Sequence, residues 1–357
     1  MIKYLKVEGL NGNRSPFEFY FNEDINIFTG LNGCGKTTIL KILWFVNCGY
    51  IEPLLEEIDF ESLCLKSDNA EININQKENT YSVKTISEND IVEGELRNEK
   101  DFPFYSKKYS KLSSICFNLG IDSLFFPTFR RIEGGFSMDH IGAKIGSQSP
   151  IKESLLELSR ALSSDKHQFI SSVSTSDISS LLRKKYTEII RQINDWQKEE
   201  FENIRQLIKK RKNSDSRDIL ASIESKISLV ENKGNKAITP FSTLENLILR
   251  IFHKKGIKVD IIKFGDSSDA ISSDKLSAGE KQMLSFLCYN AFSKSKVIFI
   301  DEPELSLHPD WQRLLISTLL KQGSNNQFFI ATHSPFIYTK YPDKEIIIDA
   351  DKGNENL

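Results

Sequence analysis

The chain has 357 residues, with 47 basic against 49 acidic side chains and a formal net charge of −2 at pH 7. The charged fraction of 27% and the hydrophobic fraction of 39% are those of a folded globular chain. They exclude a histone-like polycation and a disordered acidic tail protein. At about 150 residues per domain, this length corresponds to roughly two domains.

The sequence shows no recognisable targeting or membrane signal. Charged residues interrupt Met1–Glu8, unlike the apolar core of a signal peptide, and no stretch approaches the ~18 uninterrupted apolar residues of a membrane span. The cysteines lack C-x-x-C spacing, which argues against a disulfide framework or a structural zinc site. We therefore expect a cytoplasmic protein with reduced thiols and no membrane partner.

The first motif follows two predicted strands, at residues 2–8 and 17–28, with a turn at Asn11–Asn13 between them. The second strand leads into Gly30–Thr38, which fits the pattern G-x-x-x-x-G-K-[ST]. A helix-like apolar run, Ile39–Val46, comes next. A strand, a glycine loop and a helix in this order predict a phosphate-binding loop.

Each residue type in this loop suits phosphate binding. Glycines let the backbone approach the phosphates and point its N–H groups inward, and the start of the helix adds a positive dipole end. Lys36 would reach the β- and γ-phosphates, and the Thr37 hydroxyl would ligate Mg²⁺. We predict an ATP and Mg²⁺ site that includes Asn32, Gly33, Cys34, Gly35, Lys36, Thr37 and Thr38.

Three further segments lie in the last quarter of the chain. Leu276–Gln282 precedes a predicted helix, a buried strand ends at Asp301 and Glu302, and another strand leads into His333. Asp301 can hold the Mg²⁺ shell, Glu302 can polarise the attacking water, and His333 can reach the γ-phosphate. Each segment also has a simpler explanation, such as a buried parallel strand or a helix N-cap. Their order and spacing favour nucleotide hydrolysis.

With these motifs in order, the chain resembles the ABC-type ATPases. The matching segments are Gly30–Thr38 for Walker A, Leu276–Gln282 for the signature motif, Ile298–Glu302 for Walker B, Leu305–Leu307 for the D-loop and His333 for the switch histidine. The resemblance implies an α/β P-loop head in which a mixed sheet is flanked by helices and joined by an antiparallel β lobe. It also implies a head-to-tail homodimer, or a higher oligomer built from it. ATP on one Walker A would be capped by the partner's signature motif, here Ser277, Gly279 and Glu280.

The separation of the motifs indicates a branch of this family. The stretch from Lys36 to Ser277 is far longer than that from Ser277 to Asp301, which disfavours a transporter motor. A long insert at this place resembles the branch with SMC, RecF, the Rad50 repair protein and the OLD-type ATPases. The segment Phe126–Gly135 resembles the ATPase components of the Septu and PARIS anti-phage systems and of retron-linked relatives. The resemblance implies an ATPase subunit of a bacterial defence complex that holds or releases a separately encoded effector nuclease.

The long stretch between the motifs predicts one head split by an insertion. We expect head segments at residues 1–150 and 256–357, with a short coiled-coil arm at 151–255. Helices are predicted at 177–211, at 219–230 and near 241–253, and an antiparallel lobe at 60–100. A strand at 257–264 would lead back to the signature motif, and 345–348 would be the last strand.

Several features leave alternatives open. Arg130 and Arg131 either face a phosphate or the opposing head, or form a solvated pair at a turn. The basic run Lys209–Lys212 is either a solvated helix end or a contact for nucleic acid or a partner. OLD-family nucleases carry a Toprim domain after the head; too few residues follow His333 for one, so Asp349 and Asp351 are expected to be a frayed end. The alternative function is a RecF-type repair ATPase that grips duplex DNA directly.

Overall fold

The structure is a computed structural model, and it describes residues 1–13, 15–77, 80–87, 91–97, 121–128, 131–132, 157–173, 175–209, 216–251 and 276–348. The strands are β1 Ile2–Glu8, β2 Phe17–Tyr20, β3 Ile25–Thr29, β4 Ser62–Ser67, β5 Ala70–Lys77, β6 Thr80–Ser87, β7 Ile91–Arg97, β8 Ser123–Phe126, β9 Arg131–Ile132, β10 His167–Phe169, β11 Ser172–Val173, β12 Val297–Asp301, β13 Gln327–Ala331 and β14 Glu345–Ile347. The labelled helices are α1 Lys36–Cys48, α2 Ile51–Glu57, α3 Thr175–Lys209, α4 Ser216–Ile251, α5 Ala278–Ala291, α6 Pro309–Leu320 and α7 Pro335–Tyr338.

Strand direction divides the described strands into separate sheets. One six-stranded sheet is antiparallel, in the order β2-β1-β4-β5-β6-β7, and the other is parallel, in the order β10-β8-β12-β13-β3-β14. In the parallel sheet, β13 lies between β3, which precedes the glycine loop, and β12, which ends in the acidic pair. Because parallel strands share one carboxyl edge, the segments that follow β3, β8, β12 and β13 meet there. The predicted α/β class and the antiparallel lobe are confirmed.

The parallel sheet is covered on both faces, which is why its strands are continuously apolar. Alternate residues such as Phe299 and Phe329 pack with α1 and the antiparallel sheet. Their neighbours, including Ile298 and Ile330, pack with α5, α6 and the inner ends of α3 and α4. Helix α1 is apolar almost all round because it is enclosed by the two sheets.

The strand predicted at residues 17–28 is wrong as a single element. It divides into β2, which pairs with β1 in the antiparallel sheet, and β3, which belongs to the parallel sheet. Polar residues interrupt it: the backbone N–H of Asn22 bonds to the side-chain oxygen of Asn26 at 2.7 Å. Buried Gln327 ties the two sheets together, because its amide donates to the carbonyl of Ile2 at 2.7 Å and accepts from that residue's N–H at 2.8 Å.

Helices α3 and α4 form an antiparallel hairpin. Later residues of α3 contact earlier residues of α4. Near the head, Tyr186 packs edge-on against Phe241, and further out Glu200 pairs with Lys226 at 3.0 Å. The inner ends are buried in the head, whereas further out Phe201 is 67% exposed. The segments predicted at 219–230 and near 241–253 form one helix, α4, despite Pro240 inside it. Burial of Phe241 and its neighbours in the core offsets the hydrogen bond that proline removes.

Several predicted features lie outside the described residues. They are the strand at 257–264, Arg130, Lys210–Lys212 and the aspartates Asp349 and Asp351. Arg131 lies in β9, and Lys209 is the last residue of α3. In the part of the chain that the structure describes, no helix is both long enough and apolar enough to cross a bilayer.

Candidate nucleotide site

The glycine loop connects β3 to α1 and adopts backbone angles that require glycine. Gly33 has φ 83° and Gly35 has φ 101°, a region that side-chain-bearing L-residues rarely occupy. A Cβ atom on either glycine would meet no atom within 4 Å, so the requirement comes from the backbone and not from crowding. Gly35 also forms the N-cap of α1, which directs the free N–H groups of the first helical turn toward the loop.

The ammonium group of Lys36 lies inside the loop. It donates to the carbonyl of Gly30 at 3.2 Å and to that of Leu31 at 2.9 Å, and the Sγ of Cys34 is 3.7 Å away. The side chain is only 6% exposed, whereas Asn32 is exposed at the rim. The loop therefore combines a buried positive charge with backbone N–H groups, an arrangement suited to phosphate oxygens.

Hydroxyl groups from two other segments, the start of α1 and the residue pair after β8, converge on Asp301, the last residue of β12. The Thr37 hydroxyl lies 3.1 and 3.0 Å from the two carboxylate oxygens of Asp301, and the hydroxyl of Thr128 donates to the same carboxylate. Hydroxyl and carboxylate oxygens are the ligands that Mg²⁺ prefers, usually one or two protein groups beside phosphates. Among the described residues, no group of three or more His, Cys, Asp or Glu side chains could hold a metal, so any Mg²⁺ here would use this mixed set.

Glu302 follows Asp301 and has an unusual backbone. Its φ is 47°, in the left-handed region that is costly for a residue with a long side chain. Its N–H still donates to the carbonyl of Ala331 at 2.8 Å, which fixes the first residue beyond β12 against the end of β13. The turn places a half-buried glutamate at the edge of the sheet, next to Asp301 in the sequence.

His333 lies at the same edge, just after β13, and its side chain is exposed. The preceding residue, Thr332, donates its N–H to the carbonyl of Phe28 at 3.1 Å, so this segment adjoins the strand that enters the glycine loop. The fold thus brings the glycine loop, Asp301, Glu302 and His333 to one edge of the parallel sheet. Their predicted roles in catalysis stay predictions.

The signature residues lie at the start of α5. Ser277 and Glu280 form a capping box: the Ser277 N–H donates to Glu280 Oε2 at 2.7 Å, and the Glu280 N–H donates to Ser277 Oγ at 3.4 Å. Gly279 packs so closely on the loop after β12 that a Cβ there would lie 2.2 Å from the carbonyl oxygen of Ser306. These contacts give the segment a local structural role, and its contact with a partner's ATP remains a prediction.

Thr128 is a site residue that the motif analysis missed. It lies just after β8, the strand that pairs with β12 on the side away from β13. The available signal was its place after a short apolar strand, in the segment Phe126–Gly135 that suggested the defence ATPases. No sequence rule states that β8 pairs with β12, so the proximity of Thr128 to Asp301 became visible only in the fold.

This fold and site define a P-loop ATPase head of the ABC type. The AAA ATPase domain family matches residues 1–338, and the chain therefore belongs to that family. The resemblance to ATPases of the SMC, RecF and OLD-like branch in defence systems is confirmed.

Proteins with similar sequences include two retron probable ATPases and an endonuclease, all from bacteria. The chain is 24% identical to the retron Vc95 probable ATPase of Vibrio cholerae serotype O1 biovar El Tor over 391 aligned positions, covering 94% of this chain and 70% of that protein. It is 34% identical to the endonuclease GajA of Bacillus cereus (strain VD045) over 103 positions, which cover 26% of this chain and only 17% of that protein. The retron Ec83 probable ATPase of Escherichia coli is 34% identical over 79 positions, 18% of this chain and 15% of that protein.

Solved structures of similar architecture include an SMC head domain from Pyrococcus furiosus, crystallised with an extended coiled coil and bound to the C-terminal domain of ScpA. It aligns with 95% of this chain and 91% of its own at 12% identity, with a TM-score of 0.39.

Proposed function

We propose that this chain binds ATP with Mg²⁺, hydrolyses it, and acts as a nucleotide-dependent switch in a cytoplasmic anti-phage complex. The observation that carries the proposal is the meeting of Thr37, from the glycine loop, with Asp301, from the acidic strand end. Two motifs that are distant in sequence thereby bring a hydroxyl and a carboxylate together, next to the residue Lys36 with its buried charge. The kinship with two retron ATPases supports the defence context.

The site residues would divide the reaction among them. The loop N–H groups and Lys36 would hold the phosphates, while Thr37 and Asp301 would hold Mg²⁺, which would supply positive charge to offset the negative charge of the phosphates. Glu302 accepts a proton from the attacking water, and His333 donates to the γ-phosphate. The backbone N–H of Glu302 donates to the carbonyl of Ala331, which fixes the start of this turn on β13 and so helps to place the carboxylate.

The same proposal assigns roles to the remaining parts. The head would be formed by residues 1–150 and 256–357, with 151–255 as an insertion that adds β10 to the parallel sheet and carries the helical arm. Two heads would associate head to tail, so that Ser277, Gly279 and Glu280 of one cap the ATP of the other. Closure and opening of this dimer, or of a higher oligomer, would hold or release a separately encoded effector nuclease.

Lys36→Ala tests nucleotide binding. Loss of a buried charge that contacts phosphates should cost roughly 2–5 kcal/mol, which weakens ATP binding by at least about 30-fold. Calorimetric titration with ATP and Mg²⁺ measures this, and Lys41→Ala, on the exposed part of the same helix, is the matched control. Equal affinities in the two variants would contradict the proposed site.

Co-expression with each neighbouring reading frame, followed by pull-down with and without ATP, tests the switch role. We expect one partner to be retained in one nucleotide state and released in the other. The RecF-type alternative predicts instead that the chain alone binds duplex DNA with an affinity that falls steeply as salt rises. Duplex binding without any protein partner would replace the defence proposal by the repair one.

A further inference from the structure

The acidic segment after β12 contains a second glutamate, Glu304, whose carboxylate contacts the segment that follows β13. The carboxylate of Glu304 accepts a hydrogen bond from the Thr332 hydroxyl at 2.8 Å and another from the backbone N–H of His333 at 2.6 Å. One oxygen serves each donor. Glu304 therefore holds the residue that carries the predicted switch imidazole, and it does so through the backbone of that residue.

The segment around Glu304 also packs on the start of the signature helix. The Gln282 side chain in α5 donates to the carbonyl of Pro303 at 2.8 Å, and Gln282 is fully buried. One turn earlier, Gly279 lies against the carbonyl of Ser306, where even a methyl group would not fit. A shift of the start of α5 must therefore move residues 303–306 with it.

A second side chain strengthens the same connection from α6. Gln312 donates to the carbonyl of Leu307 at 2.8 Å and accepts from the Ser334 hydroxyl at 2.6 Å. Residues 303–307 are thus joined to Thr332 and His333 through Glu304 and to Ser334 through Gln312. These attachments form a continuous hydrogen-bonded network, a kind of structure that can carry coupling between sites.

We propose that Glu304 is a positioning residue that couples the signature helix to the switch histidine of its own chain. In the proposed dimer, the start of α5 faces the partner's ATP, whereas His333 serves the ATP bound by its own chain. A displacement of α5 on closure would pass through residues 303–306 to the Glu304 carboxylate and so set the position of His333. This inference rests on the proposed function for its dimer, but the positioning role belongs to the single chain.

Amide hydrogen exchange tests the positioning role without any need for catalysis. In Glu304→Ala, the His333 amide should exchange about tenfold faster, because it loses a charge-assisted bond. Glu304→Gln, which keeps one carbonyl oxygen, should lie between this variant and the parent chain. Asp310→Ala, which removes an exposed carboxylate that pairs with Arg313 on α6, should leave the amide unchanged. Parent-like exchange in Glu304→Ala, with the strand β13 still protected, would overturn the proposal.

The coupling is tested by repeating the measurement with saturating ATP and Mg²⁺ in the Glu302→Gln background. We expect ATP to change the exchange of the His333 amide in that chain and not in the Glu302→Gln, Glu304→Ala double variant. An ATP response of the His333 amide that persists in the double variant would overturn the coupling. So would the lack of any response in the Glu302→Gln chain when calorimetry shows that ATP is bound. If no ATP binds at all, the proposed function fails, and the exchange rates without nucleotide still decide the positioning role of Glu304.

Discussion

Two loops at the edge of the parallel sheet use the left-handed backbone region in opposite ways. In the loop of residues 30–35, glycines occupy it, including Gly33 and Gly35. In the loop of residues 302–306, side-chain-bearing residues occupy it, namely Glu302 and Ser306. In the proposed function, the first loop acts through its N–H groups, which its glycines leave unobstructed. The second loop would present the Glu302 carboxylate, and it does so at the cost of an unfavourable left-handed backbone conformation.

The largest effect should come from removing the charge that the second loop presents. Glu302→Gln keeps the shape of the side chain but not its basicity, so turnover should fall by about 100-fold or more while ATP affinity changes less than about twofold. Single-turnover hydrolysis and equilibrium titration measure the two quantities. Size-exclusion chromatography with ATP should then show a trapped dimer. Unchanged hydrolysis would remove Glu302 from its proposed role.

Gly35→Ala tests the first loop by giving it a side chain at φ 101°. Since a Cβ there meets no neighbour, only backbone strain acts, and the free energy of unfolding should fall by roughly 1–2 kcal/mol. ATP affinity should fall too, as the loop N–H groups turn away. Gly323→Ala, at φ 62° and also uncrowded, is a matched control that should destabilise similarly in urea while leaving ATP affinity unchanged.

Ser306→Gly makes the reverse change in the second loop. Its φ of 66° suits glycine, so the substitution should raise the free energy of unfolding by about 0.5–1 kcal/mol after the greater entropy of an unfolded glycine is subtracted. The midpoint of urea unfolding measures this. A lower free energy of unfolding would contradict this. It would show that contacts of the Ser306 side chain stabilise the fold by more than the left-handed backbone conformation destabilises it.

The smallest effect is expected at Cys34. Its thiol lies 3.7 Å from the Lys36 ammonium, and the loop acts through N–H groups, so Cys34→Ala should change ATP affinity by less than about twofold. Calorimetry under the conditions used for Lys36→Ala provides the comparison. A large loss would mean that this side chain, and not only the backbone, contributes to the first loop.

The motifs predicted well which elements end at the carboxyl edge of the parallel sheet, because each motif depends on residues that are neighbours in the sequence. A strand before Gly30, a helix from Lys36 and an apolar strand ending at Asp301 are all properties of neighbouring residues in sequence. The meeting of Thr37 with Asp301 was also predictable, because both were assigned to the same cation. The capping box of Ser277 and Glu280 follows from residue types three positions apart.

What the sequence did not predict depends on tertiary contacts. The proximity of Thr128 to Asp301 requires that β8 pair with β12, and the role of Glu304 requires the register of β12 against β13. The left-handed turn at Glu302 contradicts the local preference of glutamate and is imposed by its bond to Ala331. The continuity of α4 through Pro240 is likewise imposed by packing, since proline locally favours a break.

The hairpin has a mechanical consequence that follows from its attachment. Helix α3 has 35 residues, a length of about 52 Å, and among the described residues it is its inner part, including Ile178 and Leu182, that packs in the core of the head. A rotation of about 5° at the inner end would displace the far end by roughly 4.5 Å, given this length. A small rotation in the head therefore becomes a larger displacement at the far end of the hairpin. A force that a bound molecule applies at the far end would likewise act on the core through this whole length.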